Sequence, residues 1–283
     1  MSIQTDCMTI NIRVGMWMGY KLDKVKTKEV TTEAGAHDDA ARVNKHLMPK
    51  ESLSKIVSKG SAVRNHLYAN TLPWKDSGDR LITRQRYEKP FMVEHSTLRG
   101  EFYGEVDEFL ENKYLVARDQ AEFRMGSLFN PYDYPTVDVL RRKFYVSLDI
   151  DGISTAYDFR LNDSEEVFQA RVTKAMGGLW EKLRKPLEHF ADTMADDKKV
   201  FRDTTVSNLK DIVAMIPELN FMNDPKLTQI GLQVSKALAT FEPKDLRNNA
   251  TSRATVGNEA AEILESMKGF MNAFGNKGGD DEA

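Results

Sequence analysis

The second half of the chain repeats apolar residues at the spacing of a helix. Between residues 163 and 195 they recur every three or four positions, which places them on one helical face. They are Val172, Met176, Leu179, Leu183, Leu187, Phe190 and Met194. Gly177-Gly178 interrupts this run. Because each glycine costs about 1 kcal/mol relative to alanine in a helix, we expect a close helix contact or a kink there.

Capping signals place the helix ends in this half. Asp163-Ser-Glu-Glu166 resembles a capping box at the start of the first helix. Asp224-Pro225 combines an N-cap residue with a proline at the first helical position, and it predicts a helix to about Thr240. We predict two further helices, over 204–216, ending at Pro217, and over 252–274.

The first half mixes strands and helices. Residues 8–20 alternate between apolar and polar side chains and predict a strand. Residues 21–37 are polar and predict a loop or a polar extension of that strand. Helical spacing is present over 38–70, with a break near Pro49, and over 96–128, followed by a short helix near residues 140–142.

A hairpin signal completes the predicted sheet. The runs FYVSLDI (144–150) and STAYDFRL (154–161) flank Asp151-Gly152, a dipeptide that favours tight β-turns. The predicted fold class is α+β, predominantly helical, with a small antiparallel sheet (N-terminal strand plus hairpin) and a helical C-terminal half. We divide the chain into an α+β part (1–161), a helical part (162–274) and a disordered acidic tail (275–283).

Charge and cysteine content limit the classes of function. The net charge of -3 and the pI of about 6.0 argue against a strongly basic nucleic-acid binder, although a local basic face stays open. The single cysteine, Cys7, cannot form an internal disulfide and indicates a reducing, intracellular compartment. The chain lacks a signal-peptide pattern and a long apolar stretch, so we expect no membrane partner.

Sequence motifs for catalysis are absent. The chain has no P-loop or Rossmann glycine pattern, no GxSxG motif and no zinc-type spacing among its five histidines. Asp149 and Asp151 could contribute to a magnesium site, but a turn role for Asp151 is the stronger interpretation. We predict no catalytic residue, metal site or cofactor, and an enzyme of unrecognised type remains an alternative.

The segment Thr71–Tyr87 (TLPWKDSGDRLITRQRY) combines aromatic rings with arginines, as single-strand binders do for base stacking. The structural alternative places Trp74 in the core and pairs the arginines with acids such as Asp76 and Asp79, because the charges of the segment nearly balance. A similar group of aromatic and cationic residues lies near the N-terminus. Together the two groups form the candidate binding surface, which consists of Trp74, Arg80, Arg84, Arg86, Tyr87, Trp17, Tyr20 and Lys21.

Two further features are candidates for interaction. The acidic residues Asp280, Asp281 and Glu282 form a candidate partner-recruiting tail, and solubility is the alternative role for it. The chain has 13 methionines, and the methionine-rich helical faces are a candidate assembly surface, with core packing as the alternative.

Four segments together carry a resemblance. They are WMGYK (17–21), TLPW…GDRLI (71–82), GSLFNPYDYP (126–135) and FRDTTVSNLKDIVAMIPELNFMNDPKL (201–227). In this order, and over most of its length, the chain resembles an uncharacterised family of tailed-phage and prophage proteins. Genes of that family are often found near a MoxR-type AAA+ ATPase and a von Willebrand factor A-domain protein.

The resemblance implies a non-enzymatic accessory or adaptor protein in the host cytoplasm. It would act through protein–protein interaction, with an AAA+ ATPase or with further copies of itself as an oligomer. The family supplies no catalytic residues. A DNA-binding accessory protein, which binds single-stranded DNA and carries an acidic C-terminal tail, is the alternative.

Overall fold

The computed structural model describes residues 3–153, 165–196, 199, 202–239, 246 and 249–275. The described chain is mostly helical with small antiparallel sheets, which confirms the predicted α+β class. Its residues form two compact units. Unit 1 consists of Met1–Asn11, Asn70–Phe91 and Asp149–Ala283, and unit 2 of Ile12–Ala69 and Met92–Leu148. We predicted one boundary between the two folded parts, at 161/162. Each unit instead consists of several segments that alternate along the chain.

Six strands form two sheets. They are β1 (Cys7–Gly15), β2 (Tyr20–Leu22), β3 (Asn44–His46), β4 (Leu72–Pro73), β5 (Arg80–Thr83) and β6 (Tyr145–Gly152). The larger sheet has the order β4-β5-β1-β6, and the smaller sheet pairs β2 with β3. Strand β1 runs antiparallel to β5, with Cys7 opposite Thr83 and Ile10 opposite Arg80. The predicted N-terminal strand is therefore confirmed, although it ends at Gly15.

The predicted position of the hairpin turn was wrong. Strand β6 continues through Asp151 and Gly152 instead of ending before them. A type I′ turn needs a positive φ at both central residues, and Gly152 is not among the described residues with positive φ. The predicted return strand, 154–161, lies outside the described residues.

Twelve α-helices occur in the part of the chain that the structure describes. They are α1 (Ile3–Asp6), α2 (Lys24–Glu33), α3 (Glu51–Asn70), α4 (Arg84–Arg86), α5 (Met92–Glu108), α6 (Leu115–Asp119), α7 (Ala121–Met125), α8 (Val137–Arg141), α9 (Glu165–Ala195), α10 (Asp203–Leu219), α11 (Pro225–Ala239) and α12 (Ala250–Gly275). π-Helical turns cover Tyr87–Phe91 and Phe109–Tyr114, and 3-10 turns cover Gly126–Leu128 and Pro131–Asp133.

A helical bundle of α9, α10, α11 and α12 makes up most of unit 1. Trp180 is fully buried at its centre, among the apolar residues that the spacing placed on one face of α9. The predicted N-cap of α11 is confirmed, since Asp224 Oδ1 accepts from the Lys226 amide at 2.9 Å. The same carboxylate accepts from Trp180 Nε1 at 3.3 Å. At the start of α9, Asp163 and Ser164 of the predicted capping box lie outside the described residues.

Two details of the bundle refine the sequence predictions. The close contact expected at Gly177-Gly178 is made with a strand instead of a helix: a Cβ on Gly178 would lie 2.6 Å from Cδ of Pro73 in β4. Helix α10 passes through Pro217 and ends at Leu219, three residues beyond the predicted last residue, 216.

Two predictions for the first part of unit 2 were wrong. Residues 21–37, expected as loop or strand extension, contain β2 and the ten-residue helix α2. Asp23 caps this helix, with its Oδ1 accepting from the Lys26 amide at 3.0 Å. Residues 38–50, expected as helix, contain β3 and no helix, and α3 begins only after Pro49.

The core of unit 2 lies between α3, α5 and the π-helical turn Phe109–Tyr114. The helical pattern predicted over 96–128 and the short helix after Pro135 are both confirmed. The buried apolar residues are Trp17, Leu47, Met48, Leu53, Ile56, Val63, Phe102, Val106, Phe109, Leu110, Tyr114, Ala121, Tyr134, Leu140, Phe144 and Val146.

Candidate functional site

The segment Thr71–Tyr87 belongs to unit 1, and its tryptophan lies in the core. The Trp74 side chain is 3% exposed and packs edge-on against Phe168, with ring centroids 6.0 Å apart. Gly78, at φ 97°, allows the tight turn that returns the chain from β4 to β5. The Trp74 ring therefore offers no surface to a ligand, as the structural alternative predicted.

The three arginines of this segment bond to the protein itself. Arg80 Nε donates to Thr71 Oγ1 at 2.6 Å, and Arg84 Nε donates to the Thr5 carbonyl at 2.5 Å. Arg86 pairs with Glu218 at 2.8 Å.

The expected pairing of these arginines with Asp76 and Asp79 was wrong, since both acids pair with lysines: Asp76 with Lys174 of α9 and Asp79 with Lys75. Tyr87 is half-buried and stacks on Phe91.

The N-terminal candidates belong to unit 2 and divide into a buried and an exposed group. Trp17 is buried, with its ring perpendicular to that of Tyr114 at 5.8 Å. Tyr20 is 51% exposed on β2, and its ring lies 6.4 Å from that of His46 on β3. Lys21 Nζ donates to Asp133 Oδ1 at 2.7 Å.

Asp133 is the centre of a buried ion network. Its carboxylate contacts Lys21 through Oδ1 and Lys45 through Oδ2, the latter at 2.5 Å, and Lys45 also lies 3.7 Å from Asp23. Burial alone raises the pKa of the Asp133 carboxyl. The hydrogen bonds and charges of the two lysines outweigh that effect, so its pKa is lowered. The network ties the NPYDYP segment to the β2–β3 sheet.

Two aromatic rings of unit 2 are almost completely exposed to solvent. Phe123 on α7 is 98% exposed, and Tyr132 in the 3-10 turn is 91% exposed. We call the exposed rings of Tyr20, Phe123 and Tyr132, which belong to segments of unit 2 joined by hydrogen bonds, the aromatic patch.

Hydrogen bonds bring the segments that carry these rings together. Arg124 Nη2 donates to the His46 carbonyl at 2.6 Å, and Lys45 Nζ donates to the Leu128 carbonyl at 3.4 Å. The patch therefore lies on a framework that is held at several points.

Our sequence interpretation missed Phe123 and included Tyr132 only within the segment GSLFNPYDYP of the resemblance. A signal was present, because the apolar stripe of this region steps through Ala117 and Ala121. Two residues after Ala121, a side chain points about 200° around the helix, away from the core. An aromatic residue at that position is exposed unless another element covers it.

Features of known catalytic sites are not found in the described residues. Burial raises the pKa of the Cys7 thiol to about 12, so the reactive thiolate is disfavoured. Residues 3–153 and the described parts of 165–275 contain no group of three or more His, Cys, Asp or Glu side chains suited to a metal ion. None of the described helices is long and apolar enough to cross a membrane.

Comparisons with known proteins identified no relative of this chain. No protein-family model, curated protein or solved structure matches this chain. The resemblance to tailed-phage proteins therefore stays a prediction, and the tail residues Asp280, Asp281 and Glu282 lie outside the described residues.

Proposed function

We propose that this protein is a non-enzymatic phage adaptor that binds a protein partner through the aromatic patch. The observation that carries the proposal is the exposure of Phe123 and Tyr132. Contiguous exposed apolar surface is typical of protein–protein interaction sites. Hydrogen bonds and an ion pair join the segments that carry these two rings. Aromatic residues are also enriched at the centres of interfaces, where they supply much of the binding energy.

The framework under the patch supports this role. Arg124 fastens α7 to β3, and Asp133 fastens the turn that carries Tyr132 to Lys21 and Lys45. A ring presented on a fixed framework loses less conformational freedom on binding than a ring on a mobile loop.

The charges around the patch favour a protein over a nucleic acid as the partner. Lys21 and Lys45 are both paired with the Asp133 carboxylate. Nucleic-acid affinity depends on cations that neutralise phosphates. Cations that are already paired within the protein contribute less to such binding.

The resemblance to tailed-phage proteins supplies the partner class, an AAA+ ATPase encoded nearby. The test is the affinity of the purified ATPase for the wild-type chain and for Phe123→Ser with Tyr132→Ser. Removing two interface aromatics weakens binding by about a hundredfold or more. The matched control is Val93→Ser, which removes another exposed apolar side chain of unit 2. Equal affinity of the wild type and the double variant would contradict the proposal.

Self-association is a separate arm of the same experiment. Light scattering separates a 32.2 kDa monomer from an oligomer. If the wild type is an oligomer and the double variant a monomer, the partner is a second copy. The methionine-rich faces are a weaker candidate for this contact, since Met176, Met194 and Met267 are buried in the core of unit 1.

Single-stranded DNA is the second candidate, and the exposed rings of the patch are the observation that favours it. Bases stack on such rings, with each stacked base contributing about 1–3 kcal/mol. Arg84 of unit 1 is exposed and is a separate candidate contact for DNA. Retardation of an oligonucleotide that falls steeply with salt, and that is weaker for Arg80→Ala with Arg84→Ala, would favour DNA. Absence of retardation at low salt would exclude this candidate.

A further inference from the structure

Two arginines of unit 1 converge on neighbouring residues. Arg80 donates to Thr71 twice, from Nε to Oγ1 at 2.6 Å and from Nη2 to the carbonyl at 3.1 Å. Arg86 donates from Nε to Asn70 Oδ1 at 2.8 Å. Because Asn70 and Thr71 are adjacent, the two guanidinium groups lie on the same short stretch of chain.

A lysine on α9 lies beside the same stretch. Gly178 packs directly on Pro73, and Pro73 is paired with Arg80 between β4 and β5. Lys182 follows Gly178 by four residues, so it lies on the same face of α9, one turn further along. Burial, followed by the charges of Arg80 and Arg86, lowers the pKa of Lys182 to about 8.

The proximity of three cations, Arg80, Arg86 and Lys182, at one partly buried place is electrostatically unfavourable. Each positive charge disfavours the others, and partial burial removes some of the water that would screen them. Glu218 offsets part of this charge through its ion pair with Arg86. A doubly charged anion would offset more of it, and the planar guanidinium group fits the oxygens of a phosphate through paired hydrogen bonds.

We propose that Arg80, Arg86 and Lys182 form a binding site for a phosphate dianion, either free phosphate or the phosphate of a monoester. The two arginines hold the phosphate oxygens, and Lys182 supplies a point charge. Glu218 competes with the ligand for Arg86. This site is independent of the aromatic patch, since its residues belong to unit 1.

Calorimetric titration with inorganic phosphate and with AMP tests the proposal and separates the two sources. Lys182→Met and Arg80→Gln each remove one cation and keep an unbranched side chain. We expect phosphate binding at least about tenfold weaker in both, which is the effect of losing one charge-assisted hydrogen bond. The control is Lys185→Met, which removes an exposed lysine from the same helix.

A second measurement keeps the proposal testable where a variant folds poorly. In the wild type with isotopically methylated lysines, NMR follows the titration of Lys182. Bound phosphate dianion stabilises the charged ammonium, so the pKa of Lys182 must rise when phosphate is added at constant ionic strength. An unchanged titration of Lys182, or phosphate binding that Lys182→Met and Lys185→Met affect equally, would mean that the three cations only hold the chain at Asn70 and Thr71.

Discussion

The segment Thr71–Tyr87 of unit 1 and the segment Phe123–Tyr132 of unit 2 both combine aromatic rings with arginine. In the first, Trp74 is buried, and the arginines donate to acceptors of unit 1. In the second, Phe123 and Tyr132 are in solvent, while the arginine between them fastens the helix to His46.

Similar side chains thus serve stability in one segment and are available for binding in the other. What differs is the position of each ring relative to the apolar pattern around it. Trp74 lies beside the buried Leu72 and Leu81 of β4 and β5, where a large ring completes the core. Phe123 follows the buried Ala121 by two residues and points away from it. Mutations in the segment Thr71–Tyr87 should therefore reduce stability, whereas mutations in the segment Phe123–Tyr132 should reduce binding.

The largest expected effect is the loss of Trp74. Trp74→Ala should lower the free energy of unfolding by about 3–5 kcal/mol, since it removes a buried ring and leaves a cavity. Urea unfolding followed by circular dichroism measures this change. Trp74→Phe keeps a ring against Phe168 and should cost less. A loss below about 1 kcal/mol in Trp74→Ala would place the tryptophan outside the core and reopen its role in binding.

The second-largest loss of stability is expected in the ion network of Asp133, Lys21 and Lys45. Asp133→Asn keeps the shape of the side chain but leaves the largely buried ammonium of Lys45 with only the more distant carboxylate of Asp23. We expect a loss of about 3 kcal/mol in the free energy of unfolding, as for other broken buried pairs. Lys21→Met is the matched comparison, because Lys21 is half-exposed and its pair should contribute less than about 1 kcal/mol. Equal losses in the two variants would contradict the buried network.

The same network predicts a pH dependence. The pKa of Asp133 is lowered in the folded state, so the carboxylate stabilises the fold fully above its unfolded pKa of about 4. This stabilisation is lost as the pH falls through the lower, folded pKa. The stability difference between wild type and Asp133→Asn should therefore shrink at acid pH and be constant near neutrality. A stability difference that stays constant into the acid range would show that the ionised Asp133 carboxyl does not stabilise the fold.

The sequence predicted the bundle of unit 1 better than the sheets. Helix periodicity is a local property, and residues such as Leu183 and Leu187 follow it without interruption. Asp151-Gly152 misled us because the dipeptide only permits a turn, and pairing with β1 extends the strand through it. Helix α2 was missed because few apolar residues mark its period, although Asp23 gave a capping signal.

The candidate site was less predictable than the fold. Tyr20 is exposed, as a binding surface requires, whereas Trp17 is buried and Trp74 is buried as the structural alternative predicted. Whether an aromatic ring is covered depends on elements distant in sequence, which a local pattern does not contain. The burial of Asp133 depends likewise on Lys21 and Lys45, about 90–110 residues earlier in the chain.

A smaller effect is expected at Gly178, which lies close to the segment of Trp74. Gly178→Ala places a methyl group 2.6 Å from Cδ of Pro73, so α9 or β4 must move. Such overpacking costs about 1–3 kcal/mol. Gly100→Ala on α5 is the control, since its Cβ would meet nothing within 4 Å. It should leave stability unchanged or raise it by up to about 1 kcal/mol. Thermal unfolding measures both changes. Equal shifts of the melting temperature in the two variants would exclude a specific contact of Gly178 with Pro73.

The smallest effect on stability is expected in the second segment. Phe123→Ser removes a ring that contacts little of the protein, so the free energy of unfolding should change by no more than about 0.5 kcal/mol. The same variant should lose affinity for the partner, and this separation of stability from binding distinguishes an interaction residue from a core residue. A destabilisation of Phe123→Ser comparable to that of Trp74→Ala would mean that the ring is covered in solution, and the two segments would then serve the same structural purpose.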